Sequence, residues 1–148
     1  MQAKQARLMA RATDLVGKIA LPQCDFTAAD VAAAILTPAG NIYTGVCLDL
    51  SCGIGFCAEH AAIAEMVKAR ETQIEMIVAV CVDCVIPPCG RCREMMIQVD
   101  RRNADTLVLL AGGRQATLRE LLPEHWLISD PPPASPPVAS PSASDHSG

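Results

Sequence analysis

An α/β layered domain is the architecture this 148-residue chain predicts, and three observations carry the expectation. Helix-period and strand-like apolar segments alternate after an initial hairpin. The stretch Ile74 to Val82, apolar throughout from Met76, suits a strand covered on both faces. Hydrophobic residues make up 51% of the chain but aromatics only 3%, so the core must be built from Ala, Val, Ile, Leu and Met. The apolar content is concentrated in residues 1–128, a body large enough to bury a real core.

The elements follow in order. Ala3 to Lys18 reads as a helix, because Leu8, Ala12, Leu15 and Ile19 recur at three- and four-residue spacing. Leu21-Pro22 ends it. Val31 to Leu36 is a short buried strand, Pro38-Ala39-Gly40-Asn41 a turn, and Ile42 to Leu48 the return strand of a hairpin. A small-residue loop, Ser51 to Gly55, precedes a helix from Ala58 to about Ala69, with Ile63, Met66 and Val67 expected inward. The strand Ile74 to Val82 follows, with Cys81 expected as a core thiol. Pro87-Pro88 then breaks the chain, and Gly90 to Val99 is the next helix. Thr106 to Leu110 is a strand, Gly112-Gly113 a turn, and Leu118 to Leu122 a last helical turn. From Ser129 to Gly148 the chain is mostly Pro, Ala, Ser and Asp, and reads as a solvated, disordered extension outside the fold.

Composition excludes several classes. Twelve Lys and Arg against sixteen Asp and Glu give a formal charge of -4, with Arg101-Arg102 the only adjacent basic pair. A protein that grips a phosphate backbone needs a basic face, so stable nucleic-acid binding is not expected. No run approaches the roughly 20 apolar residues of a membrane span. The segment Met1 to Lys18 lacks the continuous apolar region of a secretory signal, which makes the cytoplasm the default compartment. Eight cysteines in a reducing compartment point to thiols or metal ligands rather than disulfides.

The chemistry concentrates in two places. Phe56-Cys57-Ala58-Glu59-His60 sits where a loop enters a helix. After 28 residues beyond Glu59 comes Pro88-Cys89-Gly90-Arg91-Cys92, again at a helix start. Helix N-termini stabilise thiolates through free amides and the helix dipole. Cys57, Cys89 and Cys92 can therefore converge on one metal ion and leave a fourth position open for water. Glu59, two residues past Cys57, is badly placed as a fourth ligand but well placed to move protons beside that water. His60 and Arg91 are candidate donors to the sulfurs, offsetting the net negative charge of three thiolates on Zn²⁺. A structural four-cysteine zinc on Cys81, Cys84, Cys89 and Cys92 is the competing arrangement. Cys24, Cys47 and Cys52 have no partner at ligand spacing.

These motifs carry the Cys-ligated form of the zinc nucleobase deaminase signature. The chain resembles the cytidine deaminase family, in its small homotetrameric three-cysteine branch, and the related blasticidin S deaminases. Val31-Ala32-Ala33-Ala34-Ile35 looks like the family's first strand, and Gly40-Asn41-Ile42-Tyr43-Thr44-Gly45 like its hairpin. Leu121-Leu122-Pro123 followed by Trp126 is similar to its C-terminal element. The resemblance implies a three-layer α/β/α sandwich around a mixed five-stranded sheet. It implies Cys57, Cys89 and Cys92 as zinc ligands and Glu59 as the proton shuttle. It further implies that the Ala58 backbone contacts the pyrimidine and that Trp126 reaches a neighbouring subunit's site. A base would stack on Phe56 or on that Trp126.

Where cytidine-active members carry a ribose-binding Asn-x-Glu, this chain reads Cys47-Leu48-Asp49. Asp49 can accept a hydroxyl, but Cys47 lacks the amide's paired donor and acceptor. The aromatic before the first strand is replaced near Ala29, and His60 stands where Arg is common. The expected activity is zinc-dependent hydrolytic deamination of a free cytidine-like nucleoside. The alternatives are a modified aminopyrimidine nucleoside of the blasticidin S kind or a free base, and, from another class, a non-enzymatic zinc-stabilised module.

Overall fold

A computed structural model describes residues 1–128, and the Ser129–Gly148 stretch lies outside the described residues. The elements are α1 (Gln2–Thr13), β1 (Ile19–Ala20), β2 (Thr27–Leu36), β3 (Ile42–Asp49), α2 (Ala58–Lys68), β4 (Met76–Cys81), β5 (Cys84–Ile86), α3 (Gly90–Val99), β6 (Leu107–Leu109), β7 (Gln115–Thr117) and α4 (Leu118–Leu121). Short 3₁₀ turns cover Arg101–Asp105, Ala111–Gly113 and Trp126–Ile128.

All seven strands belong to one mixed sheet. β3 lines one edge of β2, and β1 and β4 share the other; β5 and β6 in turn share the far edge of β4. The strands therefore occupy five positions across the sheet: β3, β2, β1 with β4, β5 with β6, and β7. Among the described residues only the β4–β6 pairing is parallel. This is the expected α/β/α sandwich.

Period-2 alternation sorts the side chains between the layers. Ala32, Ala34 and Leu36 of β2, with Met76, Val78 and Val80 of β4, pack under Leu8 and Ala12 of α1. On the opposite face Ile35 and Ile77 meet Ala62, Ile63 and Met66 of α2 and Met96 and Ile97 of α3. Both faces of β2 and β4 are covered, which accounts for their nearly unbroken apolar sequence.

Several expectations shift. The first helix stops at Thr13 rather than Lys18, because Gly17 donates to the Ala29 carbonyl and draws the chain into β1. Leu15 and Ile19 are consequently exposed. β2 begins at Thr27, four residues before Val31, with a register irregularity between Ala28 and Ala32 where Ala29 takes a positive φ. Val67 faces solvent. Cys81 is not a core thiol: it ends β4 at a hairpin and is disulfide-linked to Cys84.

The Gly112-Gly113 turn is present, both glycines having positive φ, and it joins β6 to β7. Thr117 caps α4 in a reciprocal box with Glu120. No helix among the described residues is long and apolar enough to cross a membrane.

Candidate active site and metal centre

Two helices begin at the same end of the sheet, and each is entered through a cysteine. Cys57 is the N-cap of α2 and Cys89 the N-cap of α3, both with extended backbone dihedrals. Cys92 lies one turn into α3 and is fully buried. The three sulfurs lie within 4.8 Å of one another, with Cys57 to Cys89 at 3.7 Å and Cys89 to Cys92 at 3.4 Å.

Glycine sets the approach of α2. A Cβ on Gly45 of β3 would come within 2.5 Å of the Ala58 carbonyl oxygen and the Ala62 nitrogen. Only a bare backbone lets the first turn of α2 lie this close to the strand. Glu65 of the same helix then accepts the Thr44 amide at 2.8 Å. On the α3 side, Arg93 donates to the Pro88 carbonyl at 2.7 Å and the Leu121 carbonyl at 2.9 Å, tying the turn before Cys89 to α4.

The donor set suits zinc. Tetrahedral thiolate coordination with Zn–S near 2.3 Å places sulfurs about 3.8 Å apart, close to the spacing here. Burial raises the thiol pKa of Cys57 and, much further, of Cys92, where the Glu59 charge adds to it. Burial also pushes Cys89 up, but hydrogen bonds from the Cys92 amide, the neighbouring thiols and the Arg91 amide outweigh it, and Cys89 falls below its ordinary value. A divalent cation among the three would relieve the penalty on the buried pair.

Glu59 occupies the first turn of α2 and is 3% exposed. Burial raises its carboxyl above the ordinary range, opposed by its own amide and by the Cys92 thiol. It borders a cavity of about 470 Å³ whose wall includes Phe56, Cys57, Ala58, Cys89 and Arg91. Cys47 and Asp49 line the same cavity, so the sequence-predicted residues converge there with three exceptions, Cys92, His60 and Trp126. Trp126 is 78% exposed and borders a different hollow with Glu94 and His125. Cys92 does not line the cavity, and neither does His60. Its Nδ1 lies 3.4 Å from Arg91 Nη2, and its buried Nε2 has no partner among the described residues.

Sequence reasoning missed Asp30 and Val31, which join the cavity through the β2 irregularity. It also missed the use made of Cys47, whose sulfur accepts the Val31 amide at 3.3 Å. The four-cysteine alternative is not adopted: Cys81 and Cys84 pair with each other, and the metal-capable cluster is Cys57, Cys89 and Cys92.

A polarising metal site beside a buried carboxylate, both facing a cavity of small-molecule size, defines a metal-dependent hydrolase. Residues 2–108 match the family model described as the cytidine and deoxycytidylate deaminase zinc-binding region. The chain is 29% identical over 106 residues to the cytidine deaminase of Mycobacterium tuberculosis, covering 69% of this chain and 76% of that protein. It is 30% identical over 106 residues to the cytidine deaminase of Halalkalibacterium halodurans, covering 68% and 79%. The solved structure of the Mycobacterium tuberculosis cytidine deaminase superposes with a TM-score of 0.68 at 27% identity, over 82% of this chain and 96% of that one. The Burkholderia pseudomallei cytidine deaminase gives 0.66 at 26% identity, over 82% and 98%. The chain belongs to the cytidine and deoxycytidylate deaminase family. It is a zinc-dependent hydrolytic deaminase.

Proposed function

We propose that the substrate is a free cytidine-like nucleoside, converted to its uridine counterpart with release of ammonia. In this reading Cys57, Cys89 and Cys92 hold the zinc and Glu59 transfers the protons. The observation that carries it is Glu59, buried in the first turn of α2 at the wall of the cavity that Cys57 and Cys89 also border. Bound zinc supplies the Lewis acidity that brings a water towards ionisation near neutral pH.

The chain's own residues supply the rest. Glu59 accepts the proton of the attacking water and hands protons to the ring nitrogen and the departing amine. The burial that raises its pKa suits a group that must both take and give a proton. Ala58 presents backbone to the pyrimidine, Phe56 offers a face to the ring, and Asp49 accepts a sugar hydroxyl at the cavity mouth. Cys47 fills the neighbouring wall position with its lone pair already committed to the Val31 amide, so sugar recognition falls mainly to Asp49. Arg91 lines the cavity beside Cys89, its amide donates to the cluster, and its guanidinium lies against His60.

The unit that does this is residues 1–128, and the working assembly is a homotetramer in which the exposed Trp126 enters a neighbouring copy's cavity. The compartment is the cytoplasm, where thiols stay available to metal, and the role is pyrimidine salvage. Ammonia release from cytidine, deoxycytidine, cytosine and a blasticidin-type nucleoside tests the substrate. Turnover confined to the free base would overturn the reading. Glu59→Gln should keep zinc and fold while losing at least about 10²-fold in kcat, and a fully active variant would refute its role.

A further inference from the structure

The proposed function leaves one pair of cysteines unused. Antiparallel register sets Cys81 of β4 directly opposite Cys84 of β5 across the turn Val82-Asp83, with the sulfurs joined and the Cα atoms 5.1 Å apart. That separation lies inside the roughly 4.4–6.8 Å that disulfide geometry requires, so the backbone is already set for the bond. The hairpin stands at the surface: Cys84 is exposed and Val82 is 66% exposed. A hollow of about 230 Å³ between the hairpin and α1, lined by Met9, Thr13, Cys81 and Cys84, opens beside the pair.

The position matters because of what β5 carries. Among the described residues its only strand partner is β4, through three register pairs that end at Cys81–Cys84. Ile86 closes β5 and packs on Ala33, Ala58 and Ala79, behind the first turn of α2. Ile86 and Pro87 then line the cavity, and Cys89 follows. The hairpin link thus fastens the strand that delivers one cavity wall and two of the three clustered cysteines. In a reducing compartment, a disulfide of this kind is usually transient and redox-sensing rather than structural.

We propose that Cys81 and Cys84 form a thiol–disulfide exchange site, separate from the metal cluster, through which low-molecular-weight disulfides of the glutathione type clamp β5. One cysteine thiolate attacks a sulfur of the oxidant, forming a mixed disulfide and releasing one thiol. The second cysteine's thiolate then displaces the remaining thiol. Two protein thiols become one disulfide, the oxidant leaves as two thiols, and the two protons leave with them. The reducing compartment and the link from the clamp to catalysis rest on the proposed function; the geometry of the pair and its exchange chemistry do not.

The test uses the full-length zinc-loaded chain, equilibrated across ratios of reduced to oxidised glutathione and trapped by alkylation for peptide mass analysis. Cys81 and Cys84 are expected to convert together as a two-electron pair. Closing so short a loop predicts about a twentyfold change in the hairpin's closed-to-open ratio. Hydrogen exchange at Cys84–Ile86 should slow by that factor on oxidation, and zinc loss to a chelator should slow in parallel. The double variant C81S/C84S should show reduced-state exchange at every ratio while keeping the turnover of the reduced wild type. The single variant C84S should accumulate glutathione on Cys81, a readout that survives if the double variant misfolds. Both cysteines remaining alkylatable at every ratio, or conversion without any change in β5 exchange, would overturn the proposal. Absent deamination with intact conversion would sink the proposed function and leave the exchange site standing.

Discussion

Replacing Gly45 by Ala is the sharpest probe of how the fold positions the site. The added Cβ meets the backbone of α2, at 2.5 Å from both the Ala58 oxygen and the Ala62 nitrogen. Backbone cannot swing aside as a side-chain tip can. Restoring an ordinary 3.4 Å contact requires about 0.9 Å of separation between β3 and the first turn of α2. Overpacking of this kind destabilises by about 1–3 kcal/mol. The same movement displaces Cys57, Ala58 and Glu59 together, because they share that turn. A misplacement near 1 Å in a catalytic constellation costs about 10²-fold in rate. Urea denaturation, zinc content and kcat/KM measured on one preparation separate the two effects. Gly17→Ala is the control, since nothing lies within 4 Å of its added Cβ, and it should stay within about 0.5 kcal/mol of wild type. A Gly45→Ala protein with unchanged stability and undiminished kcat/KM would refute the claim that close strand–helix approach sets the site.

Two further perturbations address the scaffold. Asn103 is fully buried, accepts the Ile74 amide at 2.7 Å and donates to the Thr72 and Met96 carbonyls. Asn103→Ala leaves those groups without partners and should destabilise by about 3 kcal/mol, read as a lower denaturation midpoint; a shift under about 0.5 kcal/mol would show that water replaces the side chain. Asp100 has its carboxyl lowered to about 2, first by the Arg102 guanidinium, then, against the opposing effect of burial, by the Arg102 amide and the Thr72 hydroxyl. Its folded pKa lies below the unfolded value near 3.9, so its stabilisation is present above about pH 4 and drains away as pH falls towards 2. Asp100→Asn should therefore be less stable than wild type at neutral pH and converge with it in acid. Parallel stability–pH curves would remove Asp100 from the account.

The metal centre was legible in the sequence because its chemistry is local. Cys57 and Glu59 share one helical turn and Cys89 and Cys92 another, so spacing alone fixes their relative directions once both segments are read as helix starts. The long strands were legible for the same reason, since both faces of β2 and β4 are buried and their composition says so. β1, β5 and β7 were not legible: with two or three residues each, they complete no hydrophobic period. The failure at Cys81 has a different origin. Its apolar neighbours Val80 and Val82 made it look like core, but the turn at Val82-Asp83 reverses the chain and brings the pair to the surface.

The cavity's far wall was the least legible part, and the cause lies in β2. Between Ala28 and Ala32 that strand runs four residues while β3 runs only two, from Leu48 to Val46. The surplus backbone brings Asp30 and Val31 to the cavity and leaves the Val31 amide to the Cys47 sulfur. Cys47 is thus occupied in closing a sheet irregularity, and no spacing rule links positions 31 and 47. The same register sets Asp30 on the cavity wall that Asp49 also lines, so the presence of this second carboxylate is a property of the strand pairing rather than of any motif.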